Sequence, residues 1–454
     1  ECHHTCENHP YAQLMNLVRM AKGDVPQVVG MTASLGIGKK GLADVDNGVH
    51  HVKSLLARMG ALSISRVVKH NEELAMRVPR PFDRIGEISR TPLREAPFTQ
   101  QIMNYIKDIR THLIASLESH TKFDPGLCIP KSLVTSLGQT SYGSNARFKG
   151  LLNDIKQHLS NMRGVSKVQL IDAINMILAF IKLLDMNDLL PASKALTHMR
   201  EELKLIKSNE FHSEFYINQH QELKKLEGTE EDKRMLRKLR EEVLSMDDSS
   251  QCIVFVETRE VCKYLSDHIQ SFLPKGKKCG FVMSSQSTGN SLIRQTHSEQ
   301  EHTLRDFREG RISVMVATTV ASEGIDIPQC NLIIKYNTTG DAISKVQQEG
   351  RARAKGSKSV LIVLDASVLQ RERENIAAQA RMKNILDGIH KQGKNSLKRD
   401  VEEIMHKMVE EVKEEEKKAK QLEEDMAMNL VRIRRVLKWP VLHVETVREK
   451  GTSM

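Results

Sequence analysis

Two segments carry side chains suited to handling phosphate. Residues 316–331 read VATTVASEGIDIPQCN. Thr318, Thr319 and Ser322 offer hydroxyls there, and Gly324 lets the backbone turn tightly. Hydroxyls and backbone N–H groups at a strand end suit phosphate oxygens, and Asp326 is placed to accept from a ribose hydroxyl. Residues 347–356 read QQEGRARAKG, where Gly350 frees the turn and Arg351 and Arg353 stand two apart. A guanidinium stays charged, presents a planar fork and stabilises charge that builds on a transferring phosphoryl group. Each segment alone has a plain alternative, a Thr-rich strand end and a basic surface loop. Their short separation and common setting favour one site.

That setting is read from the apolar patterning. Cys252–Val256, Cys279–Met283, Ser313–Ala317, Cys330–Tyr336 and Ser359–Asp365 are short Val/Ile/Leu-rich runs, with helical stretches at Val261–Phe272 and Ser298–Phe307. Strands of this kind alternating with helices predict a parallel sheet covered on both faces. Ligands on such sheets sit beyond the carboxyl ends of the strands, so the loops after Val256, Ala317 and Tyr336 are where chemistry is expected. Earlier, Gln27–Met31 and Leu62–Val68 read as strands around a helix at Val45–Met59. From Thr111 to Met246 apolar residues recur at helical spacing, as in Leu151, Ile155 and Leu159, which predicts an all-helical module. Thr229–Asp232 is a capping-box-like start to its last helix. Beyond Asp365 the chain is helical and charged, with one apolar stripe over Val401, Ile404, Met405, Met408, Val409 and Val412.

The 454 residues carry 68 Lys and Arg against 58 Asp and Glu, a net charge of +10. The balance is uneven: residues 401–430 carry −5, 431–454 carry +4, and the body before them +11. A basic body fits a polyanionic partner such as nucleic acid, and equally a soluble surface. Apolar residues at 39% exclude a fully disordered chain. Seven scattered Cys with no CxxC argue against a disulfide framework and a paired-Cys zinc module. The most apolar stretch, Val168–Leu190, is interrupted by charged and amide residues and reads as a buried helix rather than a membrane span. No signal segment opens the chain, so the cytoplasm is the expected compartment.

In this order the motifs resemble those of superfamily-2 helicases of the DECH type, and within them the RIG-I-like receptors. ECHHT at Glu1–Thr5 is similar to motif II without its leading Asp, and GMTASLG at Gly30–Gly36 to motif III. IVFVETRE at Ile253–Glu260 is similar to motif IV, ATTVASEGIDIPQCN at Ala317–Asn331 to motif V, and QQEGRARA at Gln347–Ala354 to motif VI. The resemblance covers roughly residues 1–430. It implies an α/β fold of RecA-like parallel sheets, one partial and one complete, with an all-α insertion and a C-terminal helical pincer. The implied domains are the C-terminal part of a first RecA-like domain (1–110), the helical insertion (111–246), a second RecA-like domain (247–366), the pincer (367–430) and a tail of unknown role (431–454).

The resemblance also implies residue roles. Glu1 would polarise the attacking water, Gln347 would help position that water or the γ-phosphate, and Arg351 and Arg353 would be arginine fingers. Gly324 and Asp326 would meet the nucleotide, and Thr32 and Ser34 would couple the two lobes. Thr258, Arg259, Thr288, Thr318, Thr319 and Glu323 lie where the family contacts RNA backbone. Contacts of that kind read A-form shape and the 2′-OH, so the implied partner is double-stranded RNA. The implied cofactors are ATP and Mg²⁺, with signalling partners engaged outside this chain. Glu349 departs from the family, which commonly has Arg there, and its charge beside the fingers is expected to weaken RNA or nucleotide contact.

No GxxxxGK[ST] occurs, and the motif II Asp, the expected Mg²⁺ partner, would precede Glu1. The opening therefore reads as a cut through a longer chain, and this polypeptide alone is expected to lack ATPase activity. Cys2, His3, His4, Cys6 and His9 are too cramped for a zinc site and have no second ligand pair nearby, so no metal site is expected. Three functions follow: an ATP-dependent duplex-RNA translocase of the antiviral sensor type, a Dicer-type helicase module, or a non-catalytic RNA-binding regulatory isoform.

Overall fold

The computed structural model describes residues 2–6, 9–20, 27–32, 34–36, 44–67, 69–77, 81–87, 96–123, 129–141, 146–161, 166–203, 210–227, 233–283, 293–318, 330–352 and 356–437. The chain divides into two compact units, residues 1–66 with 380–454, and residues 67–379.

The 67–379 unit is built on one six-stranded parallel sheet. Its strands are β1 (Phe82–Glu87), β2 (Cys252–Val256), β3 (Cys279–Val282), β4 (Val314–Thr318), β5 (Leu332–Tyr336) and β6 (Lys358–Val363). Their spatial order is β1-β6-β5-β2-β4-β3. Every residue of β2, β4 and β5 is buried, as expected of strands covered on both faces. The helices of this sheet are α10 (Arg234–Leu244), α11 (Arg259–Phe272), α12 (His297–Arg308) and α13 (Ala342–Glu349), the sheet's chain order resuming after the helical module described next. A capping box between Thr296 and Glu299 starts α12.

After α3 (Asn71–Arg77) and before α10 come α4 (Pro97–Phe123), α5 (Lys131–Gln139), α6 (Ala146–Ser160), α7 (Ser166–Asn187), α8 (Ala192–Leu203) and α9 (Glu210–Leu226). Helix α4 runs unbroken across residue 110 and buries Phe98, Ile102, Ile106, Leu113 and Leu117, spaced to share one face. The apolar helix α7 packs against α4, α6 and α8 and is the centre of the module. The module and the sheet share one hydrophobic core. The Tyr336 hydroxyl, at the end of β5, donates to the Leu189 carbonyl at 2.8 Å. Lys182 of α7 reaches Glu202 of α8 at 2.5 Å and Glu260 of α11 at 3.2 Å.

The other unit holds α1 (Pro10–Met20), α2 (Val45–Met59) and α15 (Lys394–Leu437). Asp44 caps α2 at its start, and Gly60 ends it at φ 66. The Gly60 N–H donates to Ala57 and the Ala61 N–H to Leu56, a Schellman stop that needs the left-handed glycine. Lys53 of α2 pairs with Asp400 of α15 at 2.6 Å, and Val401 is fully buried. The other members of the stripe, Ile404, Met405, Met408, Val409 and Val412, are half-buried. Helix α14 (Ala366–Gln392) begins in one unit and ends in the other, and Gly393 at φ 84 separates it from α15.

Two expected strands are not strands. Gln27–Met31 and the described part of Leu62–Val68 run as irregular backbone. A strand exists through its ladder, and no ladder is assigned to either segment among the described residues, although Met31 accepts a backbone bond from Cys2 at 3.1 Å. A strand that the apolar pattern did not predict, β1, pairs in parallel with β6 over six residues. The Thr229–Asp232 start lies outside the described residues, and α10 follows Lys233, which makes no side-chain cap.

Candidate nucleotide and nucleic-acid site

The carboxyl ends of β2, β4 and β5 bring three of the motif segments together. Val256 is in register with Thr318, so Thr258 and Thr318 leave the sheet from adjacent strands. Thr258 is exposed and caps α11, its hydroxyl oxygen accepting from the Val261 N–H at 3.3 Å. Its O–H can still donate to an anion, with the half-buried Arg259 following at the first turn of α11. Thr318 is buried, and its hydroxyl has no hydrogen-bond partner among the described residues.

The third segment is placed by α13. At the end of β5, Asn337 adopts a left-handed φ of 49, and its side-chain oxygen accepts from the Leu364 N–H at 2.9 Å. This ties the ends of β5 and β6 together. Asp341 then caps α13, accepting from the Ser344 N–H at 2.8 Å. Helix α13 carries Gln347, whose amide oxygen is buried with no partner among the described residues. An orphaned buried acceptor is costly unless something completes it, so Gln347 suits a ligand-positioning role. Gly350 has φ −61, so the turn into Arg351 uses no left-handed glycine, contrary to the freedom expected of it. The turn is held by backbone bonds: the Arg351 N–H donates to Gln348, Ala352 to Glu349, and Cys330 to Arg351, each at 3.0 Å.

In the other unit, His3 and Thr32 meet. The Thr32 hydroxyl donates to the Ser34 carbonyl at 2.7 Å, so its oxygen receives the His3 Nδ1 proton at 2.9 Å. The Ser34 N–H also donates to Thr32 at 3.3 Å, and the Ser34 hydroxyl oxygen accepts from Gly36. The segments resembling motifs II and III are thus joined through one hydroxyl.

Glu1, Thr288, Thr319, Glu323, Gly324, Asp326 and Arg353 lie outside the described residues. Among the described residues no group of three His, Cys, Asp or Glu is placed to hold a metal ion. The orphaned Gln347 oxygen is an acceptor, so its chemistry fits the O–H of a water rather than a phosphate oxygen.

Behind the site lies a group that motif reading missed. Lys335 of β5 and Lys345 of α13 are each 2% exposed. Glu372 of α14 receives Lys335 at 2.6 Å, Lys345 at 2.8 Å and the Thr339 hydroxyl. Glu349 pairs with Lys345 and lies 3.8 Å from Lys335, and Asp83 of β1 lies 3.4 Å from Lys345. Burial pushes the Glu372 carboxyl up, but Lys335 and the donors around it win and hold it down to about 2. Burial also raises Glu349 and lowers Lys335, each against its oppositely charged partners. The signal was in the sequence: a Lys inside the buried run LIIKY requires a partner.

Residues 234–356 match the helicase conserved C-terminal domain, which spans α10 through the turn after α13. The chain is 25% identical over 411 residues to the antiviral innate immune response receptor RIG-I of Homo sapiens, covering 84% of this chain and 42% of that receptor. This chain carries a helicase C-terminal domain. The helicase chain is also 25% identical over 415 residues to ATP-dependent RNA helicase DHX58 of Mus musculus, covering 89% of itself and 58% of that protein. It is 28% identical over 375 residues to Dicer-like protein 1 of Cryphonectria parasitica, covering 80% of itself and 21% of that protein. It thus spans less than two thirds of each of these relatives. No helix among its described residues is long and apolar enough to cross a membrane.

Proposed function

We propose that the chain is part of an ATP-dependent helicase or translocase that binds double-stranded RNA and serves as a cytoplasmic antiviral sensor. The supporting observation is the register of Val256 with Thr318, which sets two hydroxyl-bearing strand ends side by side, while α13 after the neighbouring strand carries Gln347 and the turn that follows it carries Arg351. Thr258, Arg259, Thr288, Thr318, Thr319 and Glu323 take RNA backbone in this reading. Gly324 and Asp326 meet the nucleotide, Gln347 positions the water or terminal phosphate, and Arg351 and Arg353 stabilise charge on the transferring group. Glu1 is the general base. Thr32 and Ser34 couple nucleotide state to movement between lobes, and His3 holds Thr32 for that task. ATP, when bound, supplies the phosphoryl group whose transfer drives the cycle.

Phosphate release tests the reading. A longer protein containing this chain and a phosphate-cradling loop hydrolyses ATP on duplex RNA, and Arg351→Ala lowers that rate by about 10³-fold or more. This chain alone releases no phosphate. RNA-stimulated hydrolysis by the chain alone, or an Arg351→Ala protein of normal rate, would contradict the assignment.

A second reading, a Dicer-type helicase module, is favoured by the similarity to Dicer-like protein 1 across both the helical module and the sheet. Paired RNase III domains in the longer protein would decide for it. A paired-Cys zinc domain after the helical arms would decide for the sensor.

A further inference from the structure

Glu349 is the residue in QQEGRARA expected to disturb the arginines beside it. Its carboxylate pairs with a buried lysine. The side chain is 16% exposed and pairs with Lys345, one turn earlier on α13. Lys335 and Lys345 are buried cations, and Glu349 and Glu372 are the carboxylates that meet both of them. Two buried positive and two buried negative charges close on one another, with Asp83 half-exposed at the rim. Thr339 completes Glu372, and Asn375 donates to the Gly340 carbonyl at 2.8 Å. The cluster therefore joins β5, the turn before α13, α13 itself and α14.

We propose that Glu349 is a positioning residue: by neutralising Lys345 and Lys335 it holds α13 in place, and through α13 it sets Gln347 and Arg351. The role of those two residues rests on the function proposed above, but the placement does not. The connection is direct. Gln347 lies two residues before Glu349 on the same helix, and the turn bearing Arg351 hangs from the Gln348 and Glu349 carbonyls. An uncompensated charge in such a cluster is strongly unfavourable, and α13, of eight residues, is the shorter of the two helices that hold it. Glu349→Arg would set three cations around Glu372, so the helix has to move for one of them to reach water. A residue acting only as a surface charge beside the arginines would behave oppositely, since replacing it with Arg would add two units of attraction for a polyanion.

Two measurements on the full chain separate these cases. Hydrogen exchange read by mass spectrometry compares residues 342–352 with the central strands 252–256 and 314–318. Glu349→Gln and Glu349→Arg are expected to speed exchange in 342–352 by about tenfold or more while the central strands stay slow. The double variant Glu349→Arg/Lys345→Glu, which restores the charge count, is expected to return it toward the original rate. In filter binding to a duplex RNA, Glu349→Arg is expected to bind no tighter than the original chain. Unchanged exchange in 342–352, a rise spread evenly over the lobe, or a threefold gain in RNA affinity by Glu349→Arg would overturn the proposal. Failure of the original chain to bind RNA counts against the proposed function alone, because the exchange result still decides the placement.

Discussion

Thr258 serves the fold and the candidate site with the same hydroxyl. Its oxygen satisfies the Val261 N–H at the start of α11, and its exposure leaves the proton available to a phosphate. Removing a capping hydroxyl costs about 1 kcal/mol. Thr258→Ala should therefore lower stability to chemical denaturation by about that amount and weaken duplex-RNA binding, whereas Thr258→Ser should retain most of both. An alanine variant with unchanged RNA affinity would remove Thr258 from the interface while leaving its capping role intact. The sequence placed Thr258 and Thr318 just beyond two strands; the structure keeps Thr258 after β2 and makes Thr318 the last residue of β4. The sequence did not show that one caps a helix and the other is buried, since both outcomes depend on register.

The elements most legible in the sequence are those whose patterning is set by burial on all sides. β2, β4 and β5 read as continuous apolar runs, and α7 reads as a helix too interrupted for a membrane, because each is enclosed by other elements. β1, with the sequence FDRIGE, was not legible. It is an edge strand with Phe82 71% and Ile85 48% exposed, so its residues answer to backbone pairing and not to a core. Its contacts with the lobe include the Asp83 and Lys345 pair and Arg84, 3.8 Å from Glu242. The charged cluster that joins β5, α13 and α14 makes a prediction in acid. The Glu372 carboxyl is lowered in the folded lobe to about 2, so its contribution is complete above the unfolded value near 4.5 and is lost as pH falls toward 2. Glu349 is shifted the other way, so its ionisation offsets part of that gain. Glu372→Gln should cost about 3–5 kcal/mol at neutral pH by stranding the lysines. It should also flatten the acid limb of the stability curve measured by denaturation at several pH values. A parallel downward shift with an unchanged acid limb would show that Glu372 is not the titrating group.

At the scale of the whole molecule, the net charge of +10 averages a basic body with an acidic stretch at 401–430. The acidic stretch belongs to α15, whose half-buried apolar stripe is interleaved with exposed glutamates and lysines. The basic excess lies in the body that carries the helicase domain, where a polyanionic backbone is the proposed partner. Lys and Arg on phosphates make binding strongly salt-dependent, and hydroxyl contacts that read the 2′-OH make it selective for RNA. The most direct test is filter binding of this chain, without nucleotide, to duplex RNA and to duplex DNA of the same sequence over a series of salt concentrations. The account predicts at least tenfold tighter binding to RNA, with affinity falling steeply and linearly in log–log form as salt rises. Equal affinity for the two duplexes, or no binding of duplex RNA at low salt, would contradict it.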